Sequence, residues 1–225
     1  MEGPGHCAGC HTPKNVAGAD KEDQDLQGGQ LENWAAPSIR GGRNRGLEDW
    51  SEDGIIEFLR TGRSGHTAAF STMAEVIELC TQHMIEADLR AIATYLKDRE
   101  GDGDGEEADE PDPAVMQAGQ AIYFDNCSAC HPSDGSGVSR FFAPLAGSGK
   151  VNNDDATTII RVILEGARSV PTKSHPSPLS MPAFDWKLTD EQIAAVASYI
   201  RSSWGNGATA VTAEQVAELR EALKD

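Results

Sequence analysis

The chain has 225 residues, enough for one large or two small domains, and its 36 acidic and 19 basic side chains give a net charge of −17. This excess of acid argues against nucleic-acid binding, which needs basic patches, and it suits attraction to a basic partner or a simple acidic surface. The sequence contains no run of 18 apolar residues, so we expect no membrane-spanning helix.

The first feature in chain order is a Cys-x-x-Cys-His motif in CAGCH, which returns 120 residues later in CSACH. Two thiols at this spacing can bond covalently to one porphyrin, and the adjacent imidazole can then bind the iron as its proximal ligand. We therefore predict two covalently bound haem c groups. The residues involved are Cys7, Cys10 and His11 in the first copy and Cys127, Cys130 and His131 in the second.

Two other interpretations of these cysteines are open. The four cysteines have the composition of a Cys₄ zinc site, but a His directly after each pair would then be a double coincidence. A thioredoxin-like dithiol requires a βαβ context, and we find no convincing strand near either motif. The fifth cysteine, Cys80, has no CxxC partner and is predicted to be a buried thiol.

Each motif is followed by the same series of features, which indicates an internal repeat. The series consists of an Ala-Pro step, a helix, a methionine-bearing loop and a closing helix. The matching segments are WAAPSIRGG and FFAPLAGSG, SEDGIIEFLRTGR and DDATTIIRVILEGAR, FSTMAEV and PLSMPAF, and IEADLRAIATYLKDR and LTDEQIAAVASYIRSSW.

An acidic segment separates the two copies of the repeat. From Glu100 to Asp112 the chain has eight acidic residues and no basic one, so its charges repel and it cannot bury enough apolar surface to fold alone. We predict a domain at 1–99, an acidic linker at 100–113 and a second domain at 114–225. The first 113 residues carry 24 acidic and 10 basic side chains, and the remainder carries 12 and 9.

Both closing segments have the apolar spacing of an amphipathic helix, and Thr189 is a good N-cap for the second. The stripes comprise Leu89, Ile92, Ala93 and Leu96 in the first helix and Ile193, Val196, Ala197 and Ile200 in the second. Strand-like alternation is hard to find, so we predict an all-α fold. Its long loops would be unusual unless a large prosthetic group completed the core.

The two motifs differ in what precedes them. The segment PDPAVMQAGQAIYFDNC predicts an amphipathic helix before the second motif, with Gly119 allowing close approach of another helix. Only MEGPGH precedes the first motif, so we expect its unit to lack the corresponding helix. Because the sequence also shows no signal peptide, we interpret it as a processed or truncated form of an exported chain.

For the second haem, Met181 is the predicted distal ligand. It lies 50 residues after His131 in SPLSMPAF, where the prolines stiffen the loop. His175 is the competitor, and Met116 is expected to pack in a helix.

For the first haem, the predicted distal ligand is Met73, which lies 62 residues after His11. Its rivals are Met84, His66 and His83. Methionine and histidine together raise the reduction potential of haem iron, which suits an electron carrier.

Several residues are candidates for supporting roles around the haem groups. The carbonyl of Pro37 or Pro144 is predicted to accept a hydrogen bond from the proximal histidine Nδ1, since metal-bound imidazoles are usually oriented in this way. Trp34, Trp50 or Arg40 could contact a haem propionate, although ordinary packing is an equally good interpretation.

The sequence resembles the multihaem cytochrome c subunits of membrane-bound periplasmic dehydrogenases. The segments that carry the resemblance are CAGCHTPKN, STMAEVIELCTQHM, YFDNCSACHPSDGSG and SMPAFDWKLTDEQIAAVASYIRSSWGN. The resemblance implies two tandem class I cytochrome c domains with long loops wrapped round haem, equivalent to the second and third of three family units. It also implies that Met73 and Met181 are the distal ligands.

The resemblance implies an electron-transfer protein rather than an enzyme. Its donor would be a flavin-, PQQ- or molybdenum-dependent dehydrogenase and its acceptor quinone, an oxidase or another cytochrome. We expect a periplasmic location, on the inner-membrane face if the chain is part of a complex, with membrane contact only through partners or segments not included in the sequence. The alternatives are a dihaem redox enzyme such as a cytochrome c peroxidase, with one open iron, and a haem-based gas sensor.

Overall fold

A computed structural model describes residues 5–42, 46–101 and 108–224, and the fold is mostly helical. The helices are α1 (Cys7–His11), α2 (Glu52–Thr61), α3 (Ser71–Leu79), α4 (Glu86–Lys97), α5 (Pro113–Asn126), α6 (Thr157–Glu165), α7 (Asp190–Arg201) and α8 (Ala213–Ala222), with 3₁₀ turns at Glu22–Gln24 and Thr81–His83. The strands are β1 (Gly29–Leu31), β2 (Trp34–Ala36), β3 (Ala167–Arg168) and β4 (Ser180–Met181).

The first half (residues 5–101) is built on the packing of α2 against α4. Helix α2 is capped at its start by Ser51, whose side chain accepts a hydrogen bond from Gly54 N, and at its end by Gly62, where a positive φ of 74° stops the helix. The buried core of this half comprises Leu26, Ile55, Ile56, Leu59, Leu89, Ala93 and Leu96. The apolar stripe predicted for α4 is therefore confirmed, with Ile92 only partly buried.

The second half (residues 108–224) is built on a close pair of helices, α5 and α7. Both were predicted, and the N-cap at Thr189 is confirmed as a capping box with Gln192. The two helices touch at Gly119, where a Cβ atom would lie 2.2 Å from the Ala195 carbonyl oxygen. Helix α8 packs on the same core through Val216.

The all-α prediction needs a correction, because two short antiparallel sheets are present. Strands β1 and β2 pair through a two-residue turn at Glu32 and Asn33, which have φ values of 48° and 60° as a tight hairpin turn requires. Strands β3 and β4 pair Ala167 with Met181. These strands have only two or three residues each, too few to give a recognisable alternating pattern.

The two halves contact each other directly. Thr158 of α6 is buried, and its hydroxyl both accepts from Ala35 N at 2.9 Å and donates to Ala35 O at 2.9 Å. Val170 packs in one apolar cluster with Ala69 and Ile77 of the first half. The predicted linker at 100–113 falls partly on 102–107, outside the described residues, and its last residue already belongs to α5. None of the helices in the described ranges is both long and apolar enough to cross a membrane.

Candidate functional site

The first CxxCH motif forms the short helix α1, which strand β1 holds from the side. Gly28 N donates to His11 O at 2.8 Å. At Gly29 a Cβ atom would lie 2.6 Å from Cys10 O, so only glycine lets the strand come this close. The motif is therefore fixed by tertiary contacts with the β1–β2 hairpin.

The imidazole of His11 is oriented by the residue that follows the hairpin. Its Nδ1 lies 2.7 Å from the carbonyl oxygen of Pro37, which confirms the predicted bond. A carbonyl can only accept, so Nδ1 carries the proton and Nε2 keeps the lone pair that binds a metal. Burial lowers the pKa of His11, with the Pro37 bond acting in the opposite direction, and favours the neutral form that metal binding needs.

Helix α5 leads directly into the second CxxCH motif. Cys127 follows the last residue of the helix, and its N–H donates to Tyr123 O. The Tyr123 ring is fully buried, and its hydroxyl contacts the carbonyl oxygens of His131 at 2.8 Å and Pro132 at 2.9 Å. The Tyr123 side chain of α5 thus holds the backbone at the C-terminal end of the motif.

The second proximal histidine is held differently from the first. The predicted bond from His131 Nδ1 to the Pro144 carbonyl does not form, and this buried nitrogen has no partner of hydrogen-bonding geometry in the described part of the chain. Burial lowers the pKa of His131, and the neighbouring Ala143 backbone raises it. The ring of Phe142 lies 6.4 Å from the imidazole, centre to centre.

These residues fit covalent haem c better than they fit zinc. Each motif presents two thiols beside an imidazole that burial keeps neutral. Burial also raises the pKa of Cys7 and that of Cys127, the latter to about 11. The described residues contain no cluster of three or more His, Cys, Asp or Glu side chains that could hold a metal ion, so the four cysteines do not form a Cys₄ site.

Met73 lies in the first turn of α3, so the prediction that a loop carries it is wrong. Its side chain is partly buried and packs against the same core cluster as Cys7. Of its rivals, His83 is exposed and its Nε2 lies 3.1 Å from Glu78 O, while His66 stacks on Trp50 with a centroid distance of 4.7 Å. Met84 packs in the same cluster as Met73 and remains its rival.

Met181 lies on β4 and packs against the core cluster that also contacts Cys127. Its carbonyl oxygen would lie 2.4 Å from a Cβ at Gly166, where φ is 76°, so this glycine lets the strand approach the end of α6. The competitor His175 lies in the loop between β3 and β4, and its pKa is lowered by burial and then by Arg63. Met116 packs from α5, as predicted.

Two of the residues suggested for propionate contacts, Trp34 and Trp50, pack against protein side chains. Trp34 packs against Phe70 with ring centres 5.6 Å apart and lies under the guanidinium of Arg161 at 4.1 Å. Trp50 stacks on His66. Arg40 is partly buried. Cys80, which was predicted to be a buried thiol, is also only partly buried.

Two cations lie between the halves, and the sequence analysis missed both. Arg63 is 4 % exposed, and Lys150 is half-buried, with desolvation lowering the pKa of its amine to about 7. Both donate to backbone carbonyls of the other half of the chain. No sequence signal marks them, because a carbonyl acceptor is present at every residue.

Comparison with known proteins agrees with this geometry. Residues 116–204 match the family model described as cytochrome c. The chain is 39 % identical over 237 residues to the cytochrome c subunit of alcohol dehydrogenase (quinone) from Gluconobacter oxydans, covering 98 % of this chain and 50 % of the relative. It is 38 % identical over 240 residues to the gluconate 2-dehydrogenase cytochrome c subunit of Pantoea cypripedii, covering 98 % and 54 %. It is 32 % identical over 243 residues to the fructose dehydrogenase cytochrome subunit of Gluconobacter japonicus, covering 96 % and 49 %.

The site and these relatives together define a cytochrome c. The chain belongs to the family of dehydrogenase cytochrome c subunits, as the resemblance predicted. It spans about half the length of the curated relatives that it matches. The family model covers only the second CxxCH motif, so the first motif is supported by the repeat and by the longer alignments.

Proposed function

We propose that this chain is a dihaem c-type cytochrome that carries electrons from a periplasmic dehydrogenase to quinone or a terminal oxidase. Residues 1–99 and 114–225 form its two cytochrome c domains, and 100–113 form the acidic linker. The observation that carries the proposal is the repeated pairing of a CxxCH motif with a methionine in one apolar cluster. Cys7 and Met73 share one cluster, and Cys127 and Met181 share the other.

Each group of residues has a defined role in this proposal. Bound haem supplies one-electron redox chemistry at its iron. The four motif cysteines anchor the porphyrins, and His11 and His131 present Nε2 as the proximal ligand. Met73 and Met181 would supply the second protein ligand of each iron, which would leave no open position for a substrate. The surrounding apolar clusters exclude water and, together with the methionine, favour a high reduction potential.

The relatives support a dehydrogenase as the electron donor, because all three are named as cytochrome subunits of dehydrogenases. The donor carries a flavin, PQQ or molybdenum cofactor in this proposal. Covalent haem attachment takes place outside the cytoplasm, which suits a periplasmic location, with membrane contact through partner subunits. The acidic surface of the first half suits a basic docking face on a partner.

The haem number is tested by expressing the chain with an exported leader in a host that matures c-type cytochromes. We expect the protein mass and the pyridine haemochrome spectrum to give two covalent haem groups per chain. Cys10→Ser and Cys130→Ser should each weaken attachment at one site only. A single haem in the unmodified chain would contradict the dihaem proposal.

The distal ligands are tested by Met73→Ala and Met181→Ala, with Met116→Ala as the matched control in the second half. We expect each ligand variant to make one haem of the two high-spin and reactive towards CO, while the control stays low-spin. Met84→Ala distinguishes the rival in the first half. A CO-reactive iron in the unmodified protein would instead favour a dihaem redox enzyme.

A further inference from the structure

The loop that leads to Met181 is held by the other half of the molecule. This loop, residues 169–179, connects β3 to β4 and lies against the C-terminal end of α2. Arg63, just after α2, donates from Nη2 to Ser177 O at 3.0 Å and to Ser169 Oγ at 3.3 Å. Thr172 Oγ1 also donates to Thr61 O at 3.2 Å.

Arg63 joins the two arms of this loop at its base. Ser169 lies on the outgoing arm, where its N–H donates to Leu179 O at 2.9 Å and its Oγ accepts from Leu179 N at 2.8 Å. Leu179 is two residues before Met181, and Ser177 is four residues before it. The guanidinium therefore fixes the path along which the chain returns to Met181.

A reciprocal contact holds the segment before Met73. Lys150 of the second half donates from Nζ to Thr67 Oγ1 at 2.9 Å and to Ala68 O at 2.8 Å. The same ammonium lies 4.3 Å from the ring centre of Phe70, the N-cap residue of α3. Met73 follows three residues later, in the first turn of that helix.

We propose that Arg63 is a positioning residue for the haem of the second half and holds Met181 in place across the boundary between the halves. Lys150 has the corresponding role for Met73. Each half thus supports the distal ligand of the other, so iron–methionine bonding depends on how the halves dock. The effect of Arg63 on the haem iron depends on the distal ligands proposed above. The hydrogen bonds between Arg63 and the loop do not depend on that proposal.

Removal of Arg63 takes away a buried donor that holds the loop. A buried guanidinium matches several acceptors at once, and its loss leaves the Ser177 carbonyl without its charged donor. Segments that lose such buried bonds open locally at a lower free energy than the rest of the fold. A mobile loop presents a distal thioether for a smaller fraction of the time, and loss of methionine ligation lowers the reduction potential.

The test uses the haem-loaded protein with Arg63→Gln and a matched control, Arg60→Gln. Arg60 lies in the last turn of α2, three residues before Arg63, and its partner at 3.4 Å is Glu86 of the same half. We expect Arg63→Gln to speed amide hydrogen exchange in residues 169–179 by at least about tenfold. It should also make one haem partly CO-reactive and lower the potential of that haem alone, and Arg60→Gln should change none of these.

Two further variants separate the possible outcomes. Arg63→Lys keeps the charge but not the planar fork, so it should fold and restore only part of the effect. Met181→Ala gives the signature of complete ligand loss. Exchange in 169–179 within about twofold of the parent protein in both Arg63 variants would overturn the contact itself.

Faster exchange with unchanged CO reactivity and potential would overturn the positioning role. If Met181→Ala leaves both haem groups low-spin, the ligand assignment fails, and the positioning role fails with it. The electron-carrier proposal would survive both results, because it depends on haem number and on the absence of an open iron.

Discussion

The two halves end in closing helices of similar sequence, α4 and α7, that are buried to different extents. In the second half every residue of α7 from Ile193 to Arg201 is buried. In the first half α4 buries only Leu89, Ala93 and Leu96. Aligning the two copies of the repeat places Ala91 opposite Ala195 and Tyr95 opposite Tyr199. The sequences are similar, so the difference lies in what packs against them.

Helix α5 makes the difference, because it covers the second face of α7 and then delivers Cys127. In the first half, strand β1 packs on the motif, and Gly28 N just before it donates to His11 O. The two CxxCH motifs are therefore held in different ways. The second motif continues directly from a helix, and the first is held by tertiary hydrogen bonds.

The largest expected effect comes from truncating the paired tyrosines. Tyr199 is 7 % exposed and packs on Tyr123 and Trp204 with ring centres 5.5 Å away in each case. Tyr199→Ala should lower the free energy of unfolding by about 4 kcal/mol, as expected for a large buried ring. A denaturant titration of the haem-loaded protein measures this.

Tyr95→Ala is the matched variant in the first half. Tyr95 is 36 % exposed, and its main contact is the Arg99 guanidinium 4.5 Å from the ring centre. An exposed cation–π contact contributes roughly 0.5–1 kcal/mol, so the loss should stay below about 1 kcal/mol. Equal losses at the two positions would show that α4 is as well covered as α7.

The sequence predicted the elements whose pattern is local. The stripes of α4 and α7, the cap at Thr189 and the helix before the second motif were all readable, because helix periodicity and capping need only neighbours in the chain. The Pro37 bond to His11 followed from the rule that metal-bound imidazoles are oriented by a second partner.

The features that sequence analysis missed are long-range or very short. The segment that forms α3 was predicted to be a loop. Met73, Val76 and Ile77 do have helical spacing, but the adjacent Ala74 makes the apolar stripe hard to recognise. The contacts of Arg63 and Lys150 join groups 77 to 114 residues apart in the chain and end largely on carbonyl oxygens. Nothing in the side-chain pattern specifies such acceptors.

The next largest effect concerns a helical glycine in each half. Gly119→Ala would place Cβ 2.2 Å from the Ala195 carbonyl oxygen, in backbone that cannot turn away. Overpacking of about 3 kcal/mol should outweigh the gain in helix propensity of about 1 kcal/mol, leaving a net loss of about 2 kcal/mol.

Gly54→Ala in α2 is the control, since its Cβ would meet only Ser51 Oγ at 3.3 Å. This variant should be neutral or more stable by up to about 1 kcal/mol. Thermal unfolding of both variants compares them directly. A stabilising Gly119→Ala would mean that α5 and α7 separate more easily than their packing indicates.

A smaller effect is expected where the halves meet at Thr158. Thr158→Val keeps the shape but leaves both buried polar groups of Ala35 without a partner, at a cost of about 1.5 kcal/mol. Thr158→Ser keeps the hydroxyl and should recover most of the loss. The same denaturant titration applies, and an unchanged Thr158→Val would show that the halves separate before either unfolds.

The smallest expected effect is at Ala91, on the exposed face of α4. Ala91→Leu should change the free energy of unfolding by no more than about 0.5 kcal/mol, since the new side chain projects into solvent. Its counterpart Ala195→Leu meets α5 and should cost about 2 kcal/mol through overpacking. Sedimentation of the haem-loaded protein should accompany the titration, because a second copy covering this face would make the Ala91→Leu cost depend on protein concentration. If Ala91→Leu lowered the free energy of unfolding as much as Ala195→Leu does, at every protein concentration, a segment of the same chain would have to cover α4. The closing helices of the two halves would then be equally covered.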